Sequence, residues 1–439
     1  MYTIKPIDRI RAEVYPPPDK SVSHRAVLIS AISKGDTQIL NFLRSNDTLA
    51  TLDCIKRLGI EVKYLGPNKL LVKGCGKYFP IQRKVELNAQ ESGTTIRIIS
   101  GLLVGQKFSS KIYAESSLRN RPMKRVTQPL RMMGANIYGE NRYGKEELPP
   151  LLIEPTDELK SIHYSMPVGS AQVKSAIILA GLFAKGITKI RELIPSRDHT
   201  ERLLKLFKAN IEEKKGYILC SESQLTTPGK IFIPGDFSSA AFFIVLGTIS
   251  PDSQILIKDV GINPTRIGLI RILKKMGADI KILNRKNYFE PYADILVKSS
   301  NIKGITIDAK YIPTMIDEMP IIFVCAAFAK GETTIFGLKE LKVKETDRIN
   351  SMVYNLKKAG VDIEAKPFDN DWMVKIKGGS KDIFNLKSLK FKSFSDHRTA
   401  MSMIIFSLAT GNTHYIDDIG CIDKSFPEFI SIVDSLRKK

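Results

Sequence analysis

The sequence predicts an α/β protein with apolar helices inside and β-sheets outside, built from six copies of one βαβαββ unit. Three observations predict it. A polar, often cationic phrase running into an apolar helix of small residues opens at Asp19, Glu91, Gly169, Gly235, Asp317 and Ser395. A second, one-sided helix follows each copy, and short alternating or β-branched segments fill the remainder. The copies start 66 to 82 residues apart. Such a period marks one supersecondary unit made repeatedly.

The opening helices are DKSVSHRAVLISA, ESGTTIRIISGLLVG, GSAQVKSAIILAGLFAKG, GDFSSAAFFIVLG, DEMPIIFVCAAFAKG and SDHRTAMSMIIFSLATG. Several are apolar nearly all round, which suits a domain interior. The second helices begin near Asn46, Arg121, Arg197, Asn263, Lys344 and Lys424 and carry apolar residues at i, i+3, i+4 and i+7. Several end on a basic turn followed by Gly, a helix stop. IEVKYL, ANIYG, ADIKIL and VDIEAK then read as strands, as do TQILNFL, KLLVKG, KVELN, SQILIKDV, GITIDA, TTIFGL and WMVKIKG.

At 439 residues the chain is too long for one ordinary core. Six units divide into two domains of three, residues 20–233 and residues 1–19 with 234–439. The boundaries fall at Pro16–Pro18 and near Thr226–Asp236, where Pro and Gly punctuate the chain. The N-terminal stretch TIKPIDRIRAEVY reads as a strand belonging with the second half, so the chain crosses between domains twice and forms a double hinge.

Hydrophobic content of 43% and charged content of 26% are those of a globular protein. MYTIKPIDRIR carries charge at once and has no apolar signal core. The longest apolar runs reach half the roughly 20 residues of a membrane span. A cytoplasmic protein with no membrane partner is expected. The five cysteines are scattered without a CxxC pair and the five histidines lack metal-ligand spacing, so reduced thiols and no metal are expected. The formal charge is +21. Its lysines are spread singly, with no helix-turn-helix or RNA-binding aromatic pattern, so an anionic small molecule is favoured over nucleic acid.

The opening phrases carry the candidate chemistry. Lys20, Ser21 and Arg25 share the first turns of one helix, and a cation, a hydroxyl and a guanidinium there suit phosphate or carboxylate. Gly93 stands where backbone can approach a ligand. Ser170 and Gln172 open another start, and Lys344 and Arg348 read as i, i+4 neighbours beside Glu345. Arg398 and Lys424 add cations, and Asp317 sits at a helix start. A capped helix accounts for each phrase alone. Gathered in one cleft, Lys20, Arg25, Arg121, Lys344, Arg348, Arg398 and Lys424 oppose only Asp317 and Glu345, a balance made for several phosphates or carboxylates. The copy at Gly235 offers no cation and reads as structural.

DKSVSHRA, SGTTIR, RNRPM, GSAQVKSA, NPTRIG, VKETDR, SDHRTAMS and KSFPEF, in this order, resemble the 5-enolpyruvylshikimate-3-phosphate synthases from about Lys5 to the C-terminus. SAQVKSA and RDHTERL resemble the subgroup called class II. The resemblance implies the two-domain inside-out α/β barrel with the active site in the interdomain cleft. It also implies transfer of a carboxyvinyl group from phosphoenolpyruvate to the 5-hydroxyl of shikimate 3-phosphate, with no cofactor. The two substrates carry roughly five to six negative charges. By motif, Lys20, Ser21, Arg25, Ser170, Gln172, Asp317 and Lys344 would hold shikimate 3-phosphate. Lys20, Gly93, Arg121, Gln172, Arg348, Arg398 and Lys424 would hold phosphoenolpyruvate. Asp317 is then the base, Glu345 the acid, and Lys20 stabilises charge. Glu91 and Glu340 stand where other members have Asn. Gly93 leaves room for a bulkier analogue such as glyphosate, and the class II features pull the other way. A monomer is expected.

The nearest rival is the UDP-N-acetylglucosamine enolpyruvyl transferase, which usually places a Cys in the loop matching KIYAESSLRNRPM; none lies between Cys75 and Cys220. An RNA 3′-phosphate cyclase would call for a catalytic His and nucleotide chemistry. A binding module would leave Asp317 and Glu345 among the cations unexplained.

Overall fold

A computed structural model describes residues 1–142, 144–379 and 387–437. The chain divides into two compact units, Met1–Pro17 with Pro234–Lys439, and Pro18–Ile233. The first crossing falls at Pro17, so Asp19 joins the helix that follows it rather than the N-terminal stretch. Asp19 caps that helix by accepting from the Val22 N–H at 2.9 Å.

Among the described residues twelve α-helices alternate in kind, as the two helix patterns require. The apolar series is α1 (Lys20–Ala31), α3 (Gly93–Leu103), α5 (Ala171–Gly181), α7 (Phe237–Ile249), α9 (Met319–Phe328) and α11 (His397–Ala409). The amphipathic series is α2 (Asn46–Arg57), α4 (Lys124–Met132), α6 (His199–Leu206), α8 (Gly268–Met276), α10 (Arg348–Lys358) and α12 (Phe429–Leu436). Every residue of α7 is buried. In one unit α7, α9 and α11 pack on one another; in the other, α3 packs on both α1 and α5. Gly101 allows the second contact, because a Cβ there would lie 2.2 Å from the Ala176 carbonyl oxygen of α5.

The apolar helices α3, α5, α9 and α11 each join two parallel strands of one sheet, and α4, α6 and α10 pack on the sheets that α3, α5 and α9 open. Val85–Asn88 pairs parallel with Ser110–Tyr113 in the register Val85 to Ser110, and the hairpin Asn136–Arg142 and Lys145–Glu154 completes that sheet. The order is therefore first, second, fourth, third strand, and it recurs around both units. Period-2 burial explains the strands: Ile255 and Ile257 face the core while Gln254 faces solvent.

Three sheets are closed by distant chain. Leu225–Thr226 and Lys230–Phe232 pair parallel with Ser33–Leu40. Arg11–Val14 pairs parallel with Gln254–Gly261. Tyr2–Ile4 pairs antiparallel with His414–Ile416. The N-terminal stretch expected as one strand is thus two strands in two sheets, broken around Pro6, whose missing N–H ends ladder pairing. The architecture is the inside-out α/β barrel of six βαβαββ units.

No helix among the described residues is long and apolar enough to cross a membrane. Cys54, Cys220, Cys325 and Cys421 are buried and Cys75 is exposed. Burial pushes the Cys54, Cys220 and Cys325 thiols up to about 12.

Candidate active site

In the Pro18–Ile233 unit the start of α1 places Lys20 Nζ 2.9 Å from Asp47 Oδ2 of α2. Arg25 sits one turn on, only 3% exposed. Its Nε donates to Thr200 Oγ1 at 2.7 Å, its Nη2 to Ser175 Oγ at 2.8 Å and its Nη1 to the Ser21 carbonyl at 2.9 Å. Arg25 therefore ties α1 to α5 and α6 and holds the Ser21 backbone from beneath. Lys174 of α5, 1% exposed, ties that helix to the strand Ile187–Glu192 through Glu192 at 2.8 Å and to α6 through Glu201 at 2.7 Å. Burial works against its charge, but Glu201 and Glu192 outweigh burial and raise the ammonium above its ordinary value.

A second group forms around α3. Arg97 Nη1 donates to Gln172 Oε1 at 2.9 Å and to the Gly93 carbonyl at 3.3 Å, while Gln172 Nε2 donates to Thr94 Oγ1 at 2.9 Å. Both ends of the Gln172 amide are thereby fixed. A Cβ on Gly93 would lie 2.7 Å from Arg97 Nη1 and 3.5 Å from Arg121 Nη1, so Gly93, Arg97, Arg121 and Gln172 adjoin one another. Arg121 is not helical as the pattern suggested: it follows a 3-10 turn, Ser116–Asn120, in extended backbone. Ser170 caps α5 by accepting from the Val173 N–H at 3.4 Å.

In the other unit Arg348 is the hub. It is 1% exposed, and its Nε donates to Asp396 Oδ2 at 2.9 Å, its Nη2 to Glu345 Oε2 at 2.6 Å and its Nη1 to Asp317 Oδ1 at 3.4 Å. Burial disfavours the guanidinium charge, and Asp396, Glu345 and Asp317 more than restore it, raising its pKa. Desolvation alone would raise the Glu345 carboxyl, but Arg348, His397 and Lys344 hold it far below the usual carboxylate range. Ligand-free, Glu345 is therefore ionised. Lys344 Nζ lies 3.8 Å from Asp317 Oδ1.

Arg398 Nη1 donates to the Asp317 carbonyl at 2.8 Å and lies 4.0 Å from Glu318 Oε1. Glu318 in turn accepts from Ser238 Oγ, which accepts from Arg266 Nη2 at 2.5 Å. Lys424 is half-buried at the end of the 3-10 turn Gly420–Lys424.

Several expectations change. Lys344 and Glu345 precede α10, which begins at Arg348, so Lys344 and Arg348 meet through Asp317 and not as helical i, i+4 neighbours. Asp347 caps α10 from its side chain, and that geometry ends the helix there. Lys424 belongs to its own turn, with Phe426 and Pro427 between it and α12. The acidic partners are more numerous than Asp317 and Glu345: Asp396, Glu318 and Asp47 pair with Arg348, Arg398 and Lys20. At the copy opening at Gly235, read as mainly structural, Ser238 joins Glu318 to Arg266. Asp396, Arg97 and Lys174 were all visible within quoted motifs. Their pairings were not, because each joins residues of separate elements.

Fold and site together define an inside-out α/β barrel protein whose helix starts gather guanidinium groups and carboxylates. Residues 4–433 match the family model EPSP synthase (3-phosphoshikimate 1-carboxyvinyltransferase). A 3-phosphoshikimate 1-carboxyvinyltransferase of Petrotoga mobilis is 45% identical over 438 residues, covering 99% of each chain. One of Geotalea uraniireducens is 44% identical, again over 99% of each. An EPSP synthase structure from Acinetobacter baumannii superposes with a TM-score of 0.86 at 37% identity, covering 99% of this chain and 97% of that one. The enolpyruvyl transferase NikO of Streptomyces tendae shares the fold, with a TM-score of 0.77 at 13% identity. The chain belongs to the EPSP synthase family.

Proposed function

We infer that this chain transfers the carboxyvinyl group of phosphoenolpyruvate to the 5-hydroxyl of shikimate 3-phosphate and releases inorganic phosphate. The match of residues 4–433 to the family carries this reading. The products belong to chorismate and aromatic amino-acid synthesis, and the reading includes a cytoplasmic monomer without a cofactor.

The reaction adds the hydroxyl oxygen to C2 of phosphoenolpyruvate while C3 gains a proton. The tetrahedral adduct then loses a C3 proton and its C–O bond to phosphate. In our assignment Lys20, Ser21, Arg25, Ser170, Gln172, Asp317 and Lys344 serve shikimate 3-phosphate. Lys20, Gly93, Arg121, Gln172, Arg348, Arg398 and Lys424 serve phosphoenolpyruvate. Arg25 acts there mainly by holding Ser21. Asp317 takes the hydroxyl proton. Glu345 is ionised before substrate binds, so its role as acid needs a trigger. A phosphate arriving at Arg348 supplies one, because added negative charge beside Glu345 raises its affinity for a proton. Lys20 stabilises charge on the adduct.

Phosphate release on mixing phosphoenolpyruvate with shikimate 3-phosphate tests the reaction; release only with UDP-N-acetylglucosamine, or with neither, overturns it. Arg121→Ala should raise the KM for phosphoenolpyruvate about tenfold or more and move that for shikimate 3-phosphate far less. Equal losses would refute the assignment of Arg121.

A further inference from the structure

Four buried polar side chains form a hydrogen-bonded line across three helices of the Pro18–Ile233 unit. His24 Nδ1 of α1 lies 2.6 Å from Thr51 Oγ1 of α2, and Thr51 Oγ1 lies 2.6 Å from Thr95 Oγ1 of α3. Thr95 Oγ1 lies 2.8 Å from Ser92 Oγ. Ser92 also caps α3, accepting from the Thr95 N–H at 3.2 Å. None of the four is more than 1% exposed. The assignment above gives His24 no task, although it stands between Lys20 and Arg25 in the chain.

The line has a direction, and His24 sets it. Its Nε2 is buried and has no hydrogen-bond partner among the described residues. Burial, then Lys20 and Arg25, keep the ring neutral. With the proton on Nε2, a donor would be buried without an acceptor, which is costly. With the proton on Nδ1, that donor is used on Thr51. Thr51 then donates to Thr95, and Thr95 donates to Ser92 at 2.8 Å in preference to its other acceptor, the Asp47 carbonyl at 3.4 Å. The Ser92 oxygen then accepts both the Thr95 hydroxyl and the Thr95 amide, so its own hydrogen points out of the line. In the other tautomer every hydroxyl reverses, and Ser92 spends its hydrogen on Thr95.

Ser92 adjoins Gly93 at the start of α3, where N–H groups of the first turn lack intrahelical acceptors and favour an anion. We propose that His24, as its Nδ1–H tautomer, is a positioning residue for phosphoenolpyruvate: through Thr51 and Thr95 it makes Ser92 offer its O–H, and not an oxygen lone pair, at the start of α3. The proposal rests on the placement of phosphoenolpyruvate at Gly93 given above.

Nitrogen-15 NMR of the ligand-free full chain, with His24→Asn used to assign the signal among the five histidines, reads the tautomer directly. A protonated Nδ1 with a bare Nε2 is expected; a protonated Nε2 overturns the proposal. Kinetics provide the second readout. The amide of His24→Asn reaches the Nδ1 position and should keep the KM for phosphoenolpyruvate within about twofold. His24→Leu supplies no donor, and His24→Gln places its amide near the Nε2 position. Both should raise that KM about three- to tenfold, with the KM for shikimate 3-phosphate and kcat nearly unchanged. Equal behaviour of the Asn and Leu variants, or parallel rises in both KM values, overturns the relay. If Arg121→Ala also leaves the phosphoenolpyruvate KM unmoved, the placement at Gly93 fails with it. If Arg121→Ala raises that KM and the His24 variants do not, the relay alone fails.

Discussion

Arg348 spreads its guanidinium over Asp396, Glu345 and Asp317, and only Asp396 is fully buried beside it. The Arg398 and Thr399 amides both donate to Asp396 Oδ1 and fix that carboxylate. Burial opposes its ionisation, yet Arg348 and His397 hold its pKa below the ordinary value of 3.8. A carboxyl depressed by folding stabilises the protein above its unfolded pKa, and that stability is lost as pH falls through the folded pKa. Asp396→Asn should therefore cost about 3 kcal/mol at neutral pH, because a buried charge loses its partner. The deficit relative to the parent should shrink below pH 3.8, which urea unfolding across pH would measure. Gly93→Ala probes the other group. The added Cβ meets Arg121 and Leu118 at ordinary contact distance and crowds only the far end of Arg97, which can move at little cost to folding, but Arg97 is what holds Gln172. We expect a phosphoenolpyruvate KM raised about tenfold with the melting temperature nearly unchanged.

At the scale of elements, the polar phrases that open the apolar helices turn out to be caps. Asp19, Ser92, Ser170, Asp236 and Asp396 each accept a first-turn N–H at the head of α1, α3, α5, α7 and α11. The sixth helix differs: α9 has no side-chain cap and enters through a 3-10 turn, Ile316–Glu318, with Pro320 in its first turn. That turn brings Asp317 to Arg348, so the one uncapped start is where the proposed base lies. Capping and ligand binding are thus not rival readings of these phrases, since Asp396 caps α11 with one oxygen and holds Arg348 with the other. Asp236→Ala, at a start without a proposed ligand, tests the cap together with the Arg266 ion pair at 3.7 Å. It removes bonds to the Ser238 and Ser239 amides and should cost about 1–2 kcal/mol, seen as a melting temperature lower by a few degrees.

At the scale of the molecule, the chain passes between its units twice, at Pro17–Pro18 and at Ile233–Pro234. Both crossings carry proline, which stiffens the strand ends on either side. Our proposal that ligands are held by residues of both units predicts a smaller radius of gyration when phosphoenolpyruvate or an analogue and shikimate 3-phosphate are both present. Small-angle scattering measures this, and a curve unchanged by both ligands would count against it.

The sequence by itself determined the repeating unit, because apolar periodicity, small residues and polar phrases are local features. It also supplied the family, through motifs contiguous in the chain. It misplaced what depends on helix ends: Lys344 read as helical because KETDR sits beside an amphipathic run, yet Asp347 caps α10 and leaves Lys344 outside. It merged two N-terminal strands into one, because the choice between two sheets rests on partners more than 230 residues away. Only the tertiary structure decided which charge neutralises which. Asp396 lies 48 residues from Arg348, and Gln172 lies 75 from Arg97. No local pattern encodes such pairs, because each arises from the packing of successive βαβαββ repeats inside one compact unit.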